Sequence, residues 1–285
     1  MRITDMTSLY GKLLNIQKSE KFVWLKTLIT AGRRFEFIAL IIMLGLMYLS
    51  IWLAKNRRIP EMKTLAALEA LEEGVGRAAE MGRPVWFGTG MYGLAGQYTV
   101  MNICGLRILS AVAELCGKYG VWLQYMANEP NILPVARDLI EEGYDKGGRR
   151  DMYDPEMGMF TGGGQMNLIR VSYAYVQREK PGAVFMFGAL LSECGSTLGF
   201  ASKIGTMIFA GTPRLYYQAH LVLLCDYQLI GEELYSAGAI LSKDPFQLGI
   251  LEGQDWTKLL TIGLMFLALI AVNTGIFNIS SLIGW

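Results

Sequence analysis

An uncharged apolar stretch near the start of the chain constrains the fold more than any other feature of the sequence. Residues 37–54 read FIALIIMLGLMYLSIWLA, 18 residues without a charge. At 1.5 Å rise per residue, a helix of this length nearly spans the roughly 30 Å hydrocarbon core of a bilayer. The stretch lies too far along the chain for a cleaved signal peptide and lacks a small-residue cleavage site. It therefore predicts a permanent membrane helix at residues 36–54, in preference to a buried core helix, which is normally shorter.

A second uncharged stretch closes the chain. Residues 259–285 read LLTIGLMFLALIAVNTGIFNISSLIGW, 27 residues without a charge, and end on a tryptophan of the kind found at membrane interfaces. The asparagines and serines of its second half are more polar than lipid favours, so that half either packs against other helices or leaves the bilayer. We predict a second membrane helix at residues 259–285.

Charge is distributed unevenly along the chain. Only 18% of the residues are charged, against about 25% in ordinary soluble domains. Residues 1–35 carry seven Lys or Arg and two acids, and read as a basic amphipathic leader that lies on a membrane surface or binds a partner. The net charge of +1 argues against nucleic acid. Basic residues balance across the first helix, whereas Lys258 precedes the second helix and no charge follows it. The protein is therefore expected to be integral to the cell membrane, with its main domain in the cytoplasm.

Residues 55–258 have the pattern of one soluble α/β domain. Short apolar runs alternate with longer amphipathic stretches, and runs such as AVFMF lack the two-residue alternation of a half-exposed strand. This predicts a mostly parallel, Rossmann-like sheet with helices on both faces, flanked by the two transmembrane helices. The predicted strands are 83–87, 121–127, 182–190 and 206–211, the predicted helices are 67–82, 97–120, 132–148, 165–180, 192–205, 214–225 and 231–242, and residues 148–164 form a long irregular loop.

Small and polar residues follow the predicted strands, where the ligands of open α/β sheets bind. Residues 88–93, GTGMYG, form a G-x-G-x-x-G between a strand and a helix. The candidate ribose-binding acid comes 36 residues later instead of about 20, so a nucleotide, another ligand or a purely structural tight turn all remain open. The candidate ligand crevice consists of Gly88, Gly90, Gly93, Glu129, Gly211 and Thr212.

Residues for catalysis are scarce. The single histidine, His220, lies between apolar runs and reads as a packed helix residue rather than a general base. Four scattered cysteines without a C-x-x-C favour buried free thiols over a disulfide framework or a metal site. We predict no catalytic residues, no metal site and no cofactor beyond the nucleotide alternative.

Several sequence blocks carry a resemblance to a known family. They are EEGVGRAAEMGRPVWFGTG (72–90), GTGMYGLAG (88–96), FAGT (209–212), CDYQLIGEELYSAGAIL (225–241) and GQDW (253–256). In this combination and order the chain resembles a family of uncharacterised prokaryotic membrane-anchored proteins. The resemblance implies a cytoplasmic α/β domain between two membrane helices, and it supplies no activity or catalytic residues.

These observations favour a membrane-anchored, self-associating scaffold or accessory subunit without its own catalysis. Two anchors bracket one domain, no catalytic set assembles, and 14 tyrosines and 16 methionines could cover partner surfaces. The expected partners are the lipid bilayer and either further copies of the chain or a larger membrane complex, with no nucleic acid. The alternative is a ligand- or nucleotide-binding membrane enzyme that uses the glycine-rich strand ends.

Overall fold

A computed structural model describes residues 34–56 and 65–273 of the chain. The chain divides into two compact units. Residues Met1–Pro60 and Pro245–Trp285 make up one unit, and residues Glu61–Asp244 make up the other. The predicted leader at 1–35 lies almost entirely outside the described residues, as does the end of the predicted second membrane segment, 274–285.

The unit from Glu61 to Asp244 alternates helices and strands. The helices between the strands return the chain to the start of the next strand, as the alternation of amphipathic and apolar runs requires. The helices are α2 (Ala66–Glu69), α3 (Leu71–Glu80), α4 (Thr99–Tyr119), α5 (Leu133–Lys146), α6 (Gln165–Glu179), α7 (Glu193–Lys203), α8 (Leu215–Leu224) and α9 (Glu233–Ser242). The strands are β1 (Val85–Gly90), β2 (Leu123–Ala127), β3 (Gly158–Phe160), β4 (Ala183–Ala189), β5 (Met207–Thr212) and β6 (Tyr227–Ile230).

The six strands form one sheet in the order β3-β2-β1-β4-β5-β6. Every neighbouring pair is parallel. From β1 the chain winds outward through β2 to β3, returns to β4 beside β1, and then winds the other way to β6. Because the winding reverses there, the loops after β1 and β4 diverge and leave a topological switch point at the carboxyl edge.

Helices cover both faces of the sheet. One apolar core joins side chains of α2, α3, α4, α5 and α9 to alternate strand residues such as Phe87 and Phe185. The other core joins α6, α7 and α8 to the intervening strand residues, among them Trp86 and Met186. The predicted α/β class and parallel sheet with helices on both faces are confirmed, because continuous apolar strands must be buried on both sides.

Two strands are missing from the sequence prediction. Gly158–Phe160 lies inside the stretch predicted as an irregular loop, 148–164, and that prediction is wrong at this point because these three residues pair with β2. Tyr227–Ile230 forms the opposite edge strand and pairs with β5. Both strands are too short to show a periodic pattern, and pairing with a longer neighbour defines them. The predicted helix 67–82 is interrupted at Ala70, which separates α2 from α3.

The other unit contributes two long helices, α1 (Arg34–Asn56) and α10 (Pro245–Asn273). By length and composition alone, two stretches of the described chain could cross a membrane, Phe37–Asn56 and Thr99–Tyr119. The second stretch is α4, which is 56% buried and belongs to the core of the sheet unit, whereas only 11% of the first is buried. The helix α10 begins well before the predicted membrane segment 259–285 and continues to Asn273.

Helices α1 and α10 pack closely at two glycines of α10. A Cβ added at Gly249 would lie 2.8 Å from the Ile51 Cα, and one added at Gly253 would lie 3.0 Å from the Met47 Cα. The buried Ser50 hydroxyl donates a hydrogen bond of 2.8 Å to the Gly249 carbonyl oxygen. Gly249 and Gly253 are spaced as G-x-x-x-G, the pattern that lets two helix backbones approach each other.

Candidate functional site

The carboxyl edge of the sheet brings together the loops in which ligand sites of open α/β sheets lie. Strand β1 ends at Gly90, beside Ala189 at the end of β4. The register between these two strands shifts between Gly88 and Gly90, so the ladder is irregular at the switch point. The candidate crevice can therefore be tested residue by residue at this edge.

The three glycines of the G-x-G-x-x-G approach protein atoms. Gly90 has a φ of +88°, which favours glycine, and an added Cβ there would lie 2.8 Å from the Ala189 carbonyl oxygen. A Cβ at Gly93 would overlap the Asn131 side-chain oxygen, and one at Gly88 would lie 2.8 Å from the Trp86 ring. In a dinucleotide fingerprint the second glycine lets the backbone approach the pyrophosphate, and here that position, Gly90, is in close contact with β4.

Asn102, in the first turn of α4, joins the loop after β1 to the end of β4. Its Nδ2 donates hydrogen bonds of 2.7 and 2.8 Å to the carbonyl oxygens of Tyr92 and Gly93. Its Oδ1 accepts a bond of 2.9 Å from the Ala189 N–H. Since the side chain is fully buried and uses three of its bonding positions, Asn102 fixes the geometry of the switch point.

The loop after β2 is fastened to the same region. Asn128 Nδ2 donates a bond of 3.0 Å to the Met91 carbonyl oxygen, and Asn128 Oδ1 accepts one of 3.3 Å from the Thr161 hydroxyl. Glu129 is exposed, and its Cβ lies 2.8 Å from where a Cβ at Gly93 would stand. The sequence placed Glu129 at a strand end beside the glycine loop, and the structure brings the two together.

The two remaining candidate residues lie farther along the sheet. Gly211 and Thr212 end β5, which β4 separates from β1. A Cβ at Gly211 would lie 2.7 Å from the Leu229 Cβ, so this position is closed by β6. Thr212 is fully buried, and its hydroxyl accepts a bond of 3.4 Å from the Arg214 N–H. The predicted set thus falls into two groups, one at β1 and β2 and one at β5.

A buried carboxylate also faces the switch point. Glu193, at the start of α7, is fully buried, and its Oε1 would lie 3.2 Å from a Cβ at Gly90. Its two oxygens accept bonds of 2.8 Å from the Leu191 N–H and 3.0 Å from the Gln165 amide. Because both oxygens already have partners, Glu193 orders the loop after β4.

An arginine and three tyrosines form the cluster that sequence reasoning missed. The Arg214 guanidinium carbon lies 4.9 Å from the Tyr98 ring centre and 5.5 Å from the Tyr217 ring centre. The Tyr92 and Tyr98 rings are 4.2 Å apart. Burial and the neighbouring Tyr98 raise the pKa of Tyr92, whereas Arg214 opposes that shift. The sequence contains one indication of this cluster. Arg214 follows Thr212, the last residue of β5, by two positions, and aromatic residues lie on either side of it in the sequence.

Helix α8, which follows Arg214, carries an apolar stripe on its outer face. Leu215 is 79% exposed, Tyr216 85%, Val222 56% and Leu223 82%, and Ala219 between them is also exposed. These positions are spaced so that they share one side of the helix, and only Leu221 of α8 is buried. The stripe, defined as these five exposed residues, is far more apolar than the surface of an ordinary amphipathic helix.

The residues considered for catalysis are dispersed. His220 lies on α8 and is exposed, which differs from the packed helix residue that the sequence predicted, because the residues around it form the outer stripe. The four cysteines are free, and burial raises the pKa of Cys194 and Cys225 to about 12. Within the described part of the chain, no three His, Cys, Asp or Glu side chains could hold a metal ion together.

A groove of about 550 Å³ opens at the opposite, amino edge of the sheet. Aromatic side chains of Tyr119, Trp122 and Tyr175 line it, together with Arg83 and Arg178. It lies at the starts of β1 and β2, far from the switch point where ligands of this sheet type bind. The groove has room for a ligand, but it lies at the edge of the sheet opposite to the one where ligands of this topology bind. We therefore place the candidate site at the carboxyl edge, on the basis of the strand order.

Comparisons with known proteins identify a family but no characterised relative. No curated protein and no solved structure matches the chain. The family model described as a domain of unknown function, DUF6754, matches residues 25–283. The resemblance to an uncharacterised family is thereby confirmed, and since the match covers most of the 285 residues, the chain belongs to the DUF6754 family.

Proposed function

We propose that the chain is a membrane-anchored accessory protein that pairs with a second copy of itself and has no catalysis of its own. The observation that carries this proposal is the apolar stripe on α8, whose four large side chains are 56–85% exposed. Their exposed surface amounts to roughly 600 Å², the upper end of what a monomer leaves uncovered. Two copies meeting at the stripe would bury about 1,200 Å², the lower limit of specific interfaces.

The chemistry of α8 favours a protein partner over the bilayer surface. Helices that lie on membranes carry Lys and Arg on their polar face to meet anionic lipids. Residues 215–224 contain no Lys, Arg, Asp or Glu. A charge-free stripe meets its own copy without repulsion, and a two-fold axis makes it self-complementary.

Membrane anchoring rests on α1 and α10. Apolar side chains are exposed along both helices, with Leu44 57% and Tyr48 73% exposed on α1, and Met265 68% and Phe266 63% exposed on α10. Water would penalise this much apolar surface, whereas lipid would not. The close contacts at Gly249 and Gly253 hold α10 against α1 just before the predicted membrane segment 259–285 begins. The proposal places the sheet unit in the cytoplasm, on the distribution of basic residues.

Disulfide trapping tests the pairing. A two-fold axis across the stripe passes near its midpoint, Ala219, and would bring the two copies of this residue together. Ala219→Cys should form a covalent dimer under mild oxidation in native membranes, because a disulfide requires Cα atoms about 4.4–6.8 Å apart. Val135→Cys, at an exposed apolar position on α5, is the matched control and should stay monomeric. Equal cross-linking at both positions would rule out pairing through α8.

A ligand- or nucleotide-binding enzyme is the second candidate function, and the strand order favours it. The order β3-β2-β1-β4-β5-β6 is that of Rossmann-like dinucleotide-binding sheets, and a G-x-G-x-x-G follows β1. The close contact of Gly90 with the Ala189 carbonyl oxygen argues against it. Thermal-shift measurements with NAD and ATP test this second candidate, and a melting temperature that neither nucleotide raises would contradict it.

A further inference from the structure

The Arg214 cluster at the end of β5 contains a buried donor without an acceptor. Arg214 Nη1 is buried and has no hydrogen-bond partner within the described part of the chain. No carboxylate among the described residues lies within salt-bridge distance of Arg214. A buried guanidinium nitrogen without an acceptor is costly and uncommon in folded proteins. The described residues supply no acceptor for this nitrogen, and the position therefore calls for one.

The surroundings of the guanidinium hold it in one place. Tyr98 and Tyr217 contribute ring faces at 4.9 and 5.5 Å, which stabilise a cation and restrict its rotation. The Tyr92 ring packs on Tyr98 at 4.2 Å and extends the aromatic wall. The side chains of Tyr92 and Arg214 also interact directly, so the arginine is already ordered and loses little further conformational freedom on binding.

Backbone geometry adds donors at the same point. Arg214 is the residue before the first turn of α8, and no side chain caps that turn. The first N–H groups of a helix, together with the helix dipole, favour an anion. The cluster also lies at the carboxyl edge of the sheet, where ligands of this topology bind.

We propose that Arg214, with Tyr92 and Tyr98, binds the phosphoryl group of a small molecule at the end of β5. A tetrahedral phosphoryl group has enough oxygens to accept from the guanidinium fork and from the start of α8 at once. Tyr92 lies in the G-x-G-x-x-G loop and Arg214 follows β5, so the site joins these two loops and differs from a dinucleotide fingerprint in using a side-chain cation instead of the glycine backbone. It is also independent of pairing through the stripe.

Calorimetric titration of the detergent-solubilised full chain with inorganic pyrophosphate tests the site. Saturable binding is expected in the wild type, and Arg214→Gln should weaken it at least tenfold through loss of a charge-assisted bidentate contact. Arg170→Gln, at an exposed arginine of α6, is the control and should bind like the wild type. Micelles doped with phosphatidic acid form a second arm, in which tighter binding than to pyrophosphate would identify a lipid headgroup as the source of the phosphoryl group.

Two results would overturn the proposal. One is wild-type protein that binds neither pyrophosphate nor phosphatidic acid, and the other is unchanged binding by Arg214→Gln. Should Arg214→Gln fail to fold, hydrogen exchange of the wild type decides the matter, because pyrophosphate should slow exchange in residues 212–217. The absence of such protection would contradict the site, whatever the fate of the variant.

Discussion

Replacing Asn102 by alanine should destabilise the sheet unit more than any other single loss of a polar side chain at the switch point. The change removes three hydrogen bonds of 2.7–2.9 Å from a fully buried residue and leaves two carbonyl oxygens and one N–H without their partner. At about 1 kcal/mol for each bond, with part of the desolvation cost of the orphaned groups added, the loss is about 3–5 kcal/mol. For a unit of this size, that corresponds to a melting temperature lower by roughly 6–20 °C.

Thermal unfolding followed by near-ultraviolet circular dichroism measures this effect. Asn131→Ala is the matched control, since Asn131 makes one bond of 3.1 Å to the Leu94 N–H at an exposed site and should cost less than about 1 kcal/mol. Asn102→Asp keeps the acceptor for the Ala189 N–H but faces two carbonyl oxygens with negative charge, and should be almost as costly as alanine. If Asn102→Ala lowered the melting temperature no more than Asn131→Ala does, Asn102 would not fasten the switch point.

Three further predictions follow from packing and burial. Gly105→Ala should lower the free energy of unfolding by about 3 kcal/mol or more, because its Cβ would overlap the Phe187 carbonyl oxygen of β4. Gly76→Ala, at an open helix position, should instead raise the free energy of unfolding by about 0.5–1 kcal/mol. Denaturant titrations measure both changes. Gly253→Leu, which meets the α1 backbone at 3.0 Å, should lower the melting temperature in detergent, and Gly263→Leu, with nothing within 4 Å, should not. Burial raises the pKa of Cys194 to about 12, so this residue stays a neutral thiol at pH 8. Its alkylation by iodoacetamide should therefore be slow at pH 8, and the rate should still rise up to pH 10. Rapid reaction at pH 8 in the folded chain would contradict the burial of Cys194.

The layered architecture could be predicted from the sequence because it rests on local pattern. Continuous apolar runs such as Ala183–Ala189 must be buried on both faces, and helical stretches between them require parallel crossovers. The edge strands could not be predicted in the same way. Gly158–Phe160 has only three residues, and its extended form depends on hydrogen bonds to β2, a partner more than thirty residues away in sequence.

The location of the candidate residues at strand ends could be predicted from the sequence, whereas the side chains around them could not. Strand ends indicated where Gly90 and Glu129 would lie, since the carboxyl ends of parallel strands share one edge. The side chains that occupy that edge come from elsewhere. In the sequence Asn102 is an ordinary helix residue, and only tertiary packing places its side chain against β4. In the same way, the sequence does not show that Arg214 lies against the Tyr98 ring.

The exposure of α8 could not be predicted from the sequence either. An apolar helix such as Leu215–Leu224 ordinarily predicts a buried element, and only the contacts of the folded chain leave its outer face uncovered. The proposal of an interface on α8 rests on this disagreement between composition and burial, because exposed apolar patches of this size are typical of interaction surfaces.

The mass of the native particle tests the central claim most directly. Native mass spectrometry of the detergent-solubilised full chain should give a species of twice the 31.7 kDa chain mass, or a higher even multiple. Leu223→Glu, which places a charge within the apolar contact, should return the protein to single-chain mass. A wild type that remains at single-chain mass over a wide range of protein concentration would contradict self-association through α8.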